Sequence, residues 1–252
     1  MNSTSDFEIN NEKPSLLMPG KGHAKNVSNF QLLISFCHNL GAVYNPSNPR
    51  LKINQLELLY QSAFEKLNLL CVKREEFNKQ TANRRKAFED LKPLATKITN
   101  AFAASGVDKI ALENAKAVNK MIQGVILKVV SSVDANGICT SQQSYDKKIT
   151  HFEALIHILE ENPMYCPNEE ELKVISLKGK LDCLQRHNSI LSESYKAYND
   201  ALHQRNHVLY NSETGLLQTV KEVKQYVKSV FGANSFQYHQ VGGLQFKVRT
   251  GE

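Results

Sequence analysis

The chain has 252 residues, 31 Lys and Arg against 25 Asp and Glu, and a formal net charge of +6. Its hydrophobic content of 41% is enough to build a core, while no apolar run approaches the ~20 residues that span a bilayer. Five scattered cysteines (Cys37, Cys71, Cys139, Cys166 and Cys183), an odd number, speak against a disulfide framework and for a reducing compartment, so the expected location is cytoplasmic.

Residues 1–26 are polar and turn-rich and read as a mobile polar tail; Met1 to Asn10 carry neither the basic start nor the apolar stretch of a secretory signal. A short helix with Leu33, Ile34, Phe36 and Cys37 ends at Leu40–Gly41. Asn48–Pro49, a cap followed by proline at the first helical position, opens a long helix. Its core-type residues fall at Ile53, Leu56, Tyr60, Ala63, Leu67, Leu70, Arg74, Phe77, Thr81, Arg84, Phe88 and Leu91, steps of three and four that hold one stripe on one helical face. A third helix starts near Pro93 with Leu94, Ile98 and Phe102, and an extra helix runs from Asp108 to about Val130. Residues 131–141 read as a linker.

The second half repeats the order. A short helix with Leu155, Ile156, Ile158 and Leu159 ends at Asn162–Pro163, and Asn168 before three glutamates caps the next long helix. Its stripe is Val174, Leu177, Leu181, Leu184, Asn188, Leu191, Tyr195, Tyr198, Leu202, Arg205 and Leu209. A third helix carries Leu216, Val220, Val223, Val227 and Val230, capped by Asn211 or Ser212 and closed by Gly232. From Ser235 to Val248 large apolar residues recur without a helical period, which predicts a segment docked on its own bundle.

Residues 44–88 and 165–209 match in register: Tyr44, Pro46, Leu51, Lys52, Leu56, Leu70, Asn78 and Arg84 recur as Tyr165, Pro167, Leu172, Lys173, Leu177, Leu191, Asn199 and Arg205. Each long helix is about 40 residues, a rod of roughly 60 Å at ~1.5 Å rise per residue, and rods of that length pack lengthwise. The fold expected is all-α, a long antiparallel helical bundle or coiled-coil hairpins built from two pseudo-repeated three-helix units. The expected organisation is a tail (1–26), a first repeat with the extra helix (27–130), a linker (131–141), a second repeat (142–232) and a C-terminal docking tail (233–252).

Four stretches carry a resemblance: NRRKAFEDLKPLATKITNAFAASG (83–106), TSQQSYD (140–146), LYNSETGLLQTVKEVKQYVKSVFGANS (209–235) and YHQVGGLQF (238–246). Together they resemble an uncharacterised family of bacterial all-helical proteins with no known activity. The resemblance spans most of the chain beyond the N-terminal tail. It implies a bacterial, cytoplasmic setting and carries no site residue over.

Arg84 and Arg205 hold equivalent stripe positions, where a charge is costly unless paired. Two readings stay open: a pseudo-symmetric site for a carboxylate or phosphate, whose shape suits the guanidinium fork, or internal pairing with acids such as Glu89 and Asp200. His203/His207, Cys183/His187 and Glu153/His157 have metal-compatible spacing but lie off the apolar stripe and read as surface pairs. GxSxG, GxxxxGK[ST] and HExxH motifs are missing, so no catalytic residue, cofactor or metal is expected. Lys221, Lys224 and Lys228 form a basic stripe that can track phosphates, with Tyr226, Phe231, Phe236 and Tyr238 near enough in sequence to stack on bases. Interleaved acids such as Glu222 favour a solvated face instead. Met121–Val133 is the most apolar segment but is short and broken by Lys128. These features predict a non-enzymatic interaction or scaffold protein with a protein partner or self-association. Arg84, Arg205, Lys221, Lys224 and Lys228 are the candidate anion- or partner-binding residues. The alternative is sequence-independent nucleic-acid binding through the basic helix stripes, and a further one is a membrane-inserting helical pore-former.

Overall fold

The computed structural model describes residues 21–124 and 144–248. Among them lie eight α-helices and no strand: α1 (Lys21–Asn39), α2 (Ile53–Ala87), α3 (Leu91–Ala104), α4 (Lys109–Gln123), α5 (Tyr145–Glu160), α6 (Val174–Tyr210), α7 (Leu216–Phe231) and α8 (Phe236–Gly242). No described helix is long and apolar enough to cross a membrane.

Two compact units divide the chain, Met1–Arg74 with Asn199–Glu252, and Glu75–Tyr198. α2 and α6 each give one part of their length to each unit. The first unit buries Phe30, Leu33 and Cys37 of α1 against Leu56 and Ala63 of α2, Leu209 of α6, Val220, Val223 and Val227 of α7, and Val241 of α8. The second buries Ile98 and Phe102 of α3, Ile122 of α4, Phe152 and Leu155 of α5, and Leu177 and Leu184 of α6. Both cores use the three-and-four spacing that puts one face of each helix inward.

Several boundaries depart from expectation for local reasons. Helix α1 begins at Lys21, inside the residues expected to form a polar tail, and already buries His23, Ala24 and Asn26. Asn48 Oδ1 accepts from Arg50 N at 3.1 Å but caps a 3-10 turn, Pro49–Leu51; α2 starts only at Ile53. A matching 3-10 turn, Glu170–Leu172, precedes α6, and its cap position is Glu169 rather than Asn168. Helix α3 starts at Leu91, so Pro93 sits in the first turn, where no backbone donor is lost. Helix α4 stops at Gln123 because Gly124 adopts φ +88, a left-handed cap that glycine tolerates. Residues 125–133 of the apolar stretch and the expected linker 131–141 lie outside the described residues. Asn211 Oδ1 accepts from Glu213 N (3.0 Å) and Thr214 N (2.9 Å), stabilising a turn before α7, whose cap position is Gly215. Ser235 caps α8, which was not foreseen, through Tyr238 N at 3.1 Å.

One contact recurs. Tyr44 Oη donates to Leu51 O at 2.8 Å, and Tyr165 Oη donates to Leu172 O at 2.8 Å. All four residues are buried, so each clasp closes the loop that leads from a short helix into a long one. Burial raises the Tyr165 hydroxyl to about 12, helped by the charge of Glu169. Tyr44 is raised further by burial, with Cys37 and Tyr226 adding to it. Burial also pushes the Cys37 thiol from 9.0 up to about 11, against a hydrogen bond to Tyr44 that lowers it.

Tyr44→Phe and Tyr165→Phe each leave a buried carbonyl without its donor and are expected to cost about 1–2 kcal/mol, read as a lower urea midpoint; unchanged midpoints would remove the clasps from the account of the loops. A group held protonated by the fold stabilises it fully below its unfolded value, so the Cys37 contribution is present below pH 9.0 and is lost as the pH rises through about 11. Near neutrality, alkylation mapped by mass spectrometry is expected to modify the exposed Cys166 and Cys183 well before Cys37.

Candidate functional site

Arg84 belongs to the second unit. The last turn of α2 lays its guanidinium over the Tyr145 ring, 3.9 Å from the centroid. Nη1 donates to Asn188 Oδ1 at 2.9 Å, and Asn188 Nδ2 donates to Asp146 Oδ1 at 2.5 Å. The hydrogen bond thus goes to Asn188 rather than to Glu89. The Tyr145 ring in turn stands edge-on to Phe88 at 4.8 Å. Nε is buried and makes no hydrogen bond. The cation is met by an aromatic face, an amide oxygen and, one bond further on, a carboxylate, a combination that offsets its desolvation within the unit. Beside it lies an open groove of about 400 Å³ lined by Asp146, Ile149, Thr150, Gln185, Asn188, Ser189 and Ser192. Asp146 gives that groove an acidic edge, which disfavours an anionic occupant.

Arg205 belongs to the first unit, is 5% exposed, and donates from Nε and Nη2 to Asn206 Oδ1 at 3.1 and 2.8 Å. The two arginines share a place in the sequence pattern but have different surroundings.

The lysine stripe lies on α7. Lys221 and Lys228 are exposed, and the Lys228 ammonium sits 5.7 Å from the centre of the Tyr238 ring. Lys224 does something else. Its Nζ donates to Leu244 O at 2.7 Å and to Gly242 O at 3.2 Å, and lies 5.4 Å from the centre of the Phe246 ring. Burial lowers its pKa. The stripe is therefore not three equivalent free cations, because its middle member holds the chain that follows α8.

That chain, residues 244–248, is non-helical and alternates: Leu244 and Phe246 are half-buried against the first core, while Gln245 and Lys247 are exposed. Opposite it, α1 presents two buried asparagines one turn apart. Asn26 Nδ2 donates to Lys247 O at 2.8 Å, and Lys247 N donates back to Asn26 Oδ1 at 3.1 Å. Asn29 Nδ2 donates to Gln245 O at 2.7 Å. Residue numbers rise along α1 as they fall along the segment, so the two run in opposite senses. Every one of these bonds, and both from Lys224, reaches a backbone group. Beneath them His23 Nδ1 meets Tyr210 Oη at 2.6 Å.

Asn26 and Asn29 carry this groove and were not among the residues singled out from sequence. Their signal is an asparagine pair interleaved with Val27 and Phe30, polar residues at core spacing. Among the described residues no group of three His, Cys, Asp or Glu side chains is placed to hold one metal ion; His157 instead meets Glu161 at 3.4 Å on an exposed face.

Comparisons with protein-family models, with curated proteins and with solved structures find no match to this chain.

Asn188→Ala removes the amide that joins Arg84 to Asp146 and is expected to cost about 1–3 kcal/mol in urea unfolding. Because the guanidinium is already satisfied on two sides, inorganic phosphate is expected to raise the thermal midpoint of the native chain and of Arg84→Met equally. A larger rise in the native chain would restore Arg84 as an anion site.

Proposed function

We propose that this chain is a non-enzymatic interaction protein that holds a partner segment on a helical surface, in the groove between α1 and α7. The observation that carries this reading is the way 244–248 is held. Its hydrogen bonds with Asn26, Asn29 and Lys224 involve only its backbone, while Leu244 and Phe246 enter the core side at alternate positions. Backbone bonds for affinity and alternate side-chain pockets for selectivity are the hallmarks of extended-peptide recognition. The Asn26 amide carries a donor and an acceptor side by side, which is what pairing with one residue's N–H and C=O requires.

We read the architecture behind this surface as two copies of one unit. The paired tyrosine clasps and the 3-10 turns ahead of α2 and α6 support that reading. In the second unit, Arg84 meets Asn188 while Phe77 stacks near Tyr195 and Tyr198, at 5.5 and 5.8 Å. That reversed order supports an antiparallel hairpin of the two long helices. The reading includes a cytoplasmic setting, supported by the four described cysteines being thiols.

The test is direct binding to the full chain. A fluorescent peptide of the sequence VGGLQFKV, residues 241–248, is expected to bind a Leu244→Ser, Phe246→Ser variant, whose own segment competes poorly. It is expected to bind the native chain at least tenfold more weakly, since a tethered competitor acts at high effective concentration. Adding Asn26→Ala and Asn29→Ala is expected to abolish the anisotropy change. No binding to a tail-weakened variant that keeps its helicity would sink the proposal.

A further inference from the structure

We infer that the segment 244–248 is exchangeable, and that the α1/α7 groove of one copy is built to take the same segment from a second copy of this chain. This rests on reading the groove as a peptide site and names its occupant.

Three observations point there. The groove demands an occupant: Asn26 and Asn29 are 2% and 4% exposed, and their amides find acceptors in Lys247 and Gln245. Emptied, the groove gives these amides and the Lys224 ammonium to water in exchange for the segment's backbone groups. A groove that loses its own segment is thus open to another with the same backbone pattern.

What refills it must offer carbonyls and one N–H at the spacing of residues 242–247, with large apolar side chains at the places of Leu244 and Phe246. A second copy offers the same groups in the same register, so exchange keeps the hydrogen bonds that residues 244–247 make with Asn26, Asn29 and Lys224. Any other sequence must match the Leu-x-Phe spacing independently.

The connection permits it. Gly242 and Gly243 join α8 to the segment, two consecutive residues without a Cβ, and Gly243 is exposed. A Cβ at Gly243 stands 3.3 Å from His239 O, so this close turn favours glycine, and the same residue can open without steric penalty. Reciprocal exchange fills both grooves at once and closes as a two-fold dimer, with each copy supplying the other's missing strip of surface. The tethered segment wins at low concentration and the exchanged one gains as protein concentration rises, because tethering acts as a fixed effective concentration.

Complementation between two full-length variants tests this. One keeps the groove and spoils the segment (Leu244→Ser with Phe246→Ser); the other keeps the segment and spoils the groove (Asn26→Ala with Asn29→Ala). Mass is read by light scattering after size exclusion, with helicity checked by circular dichroism. Each variant alone is expected to elute as a monomer, and the mixture to yield a species of twice the mass. If the double asparagine variant loses helicity, Lys224→Met takes its place as the groove variant. A mixture that stays monomeric overturns the inference, since one intact groove and one intact segment are then present without pairing. Dimers formed equally by each variant alone also overturn it, by placing self-association on another face. The VGGLQFKV peptide separates the two claims: peptide binding without complementation leaves the groove standing and removes the exchange, and absence of both removes the groove.

Discussion

A phenol hydroxyl buried against a backbone carbonyl is the contact on which the rest depends. Tyr44 bonded to Leu51 holds the loop between α1 and α2 in one shape, and Tyr165 bonded to Leu172 does so between α5 and α6. In each case the turn includes a 3-10 segment whose last residue, Leu51 or Leu172, drops into the core. The hydroxyl therefore serves two ends, satisfying a carbonyl at the start of a long helix and pinning the ring that shields it. In the first unit that ring also stands edge-on to Tyr226 of α7 at 5.3 Å, while Tyr226 Oη receives Asn45 N at 3.0 Å. The clasp thus registers α1 against α7 as well as α2, and the groove between α1 and α7 inherits its position.

Helical spacing made the all-helical character legible, since three-and-four steps are a local property of sequence. What escaped was decided by distant partners. His23 and Asn26 fall in the expected tail, and Asn29 just after it, because polar side chains belong in water; they are buried because Tyr210, Gln245 and Lys247 meet them there. No local rule contains residues more than 180 positions away. The same limit explains the unit boundaries. Sequence order suggests two lobes in succession, while packing assigns the first part of α2 to the core that also holds α7. The cap at Asn48 departs from helical spacing for a narrower reason: Asn48 does accept a backbone hydrogen bond, but the residues after it close a 3-10 turn first.

Charge was legible as composition and not as role. The arginine expected beside Glu89 is satisfied by an aromatic ring and an amide, and the middle lysine of a basic stripe is spent on two carbonyls. Both outcomes follow from desolvation. A cation drawn partly out of water needs several weak partners as much as one opposite charge, and ring faces and backbone oxygens are abundant where acids are not. Exposed lysines on the same helix face, Lys221 and Lys228, keep their water.

The segment beyond α8 shows how such contacts can be specific without being permanent. Four hydrogen bonds join it to Asn26, Asn29 and Lys224. At about 1 kcal/mol net each, they contribute about 4 kcal/mol. Half-burial of Leu244 and Phe246 adds roughly 1 kcal/mol apiece. Ordering five residues of backbone costs about 5–10 kcal/mol. The balance lies within a few kcal/mol of zero, so the intrinsic affinity is modest and the tether at Gly242–Gly243 adds to the persistence of docking. A contact balanced in this way responds to whatever changes the local concentration of competing segments. It is the same balance that lets a groove with fixed backbone chemistry exchange its occupant without disturbing the core beneath it.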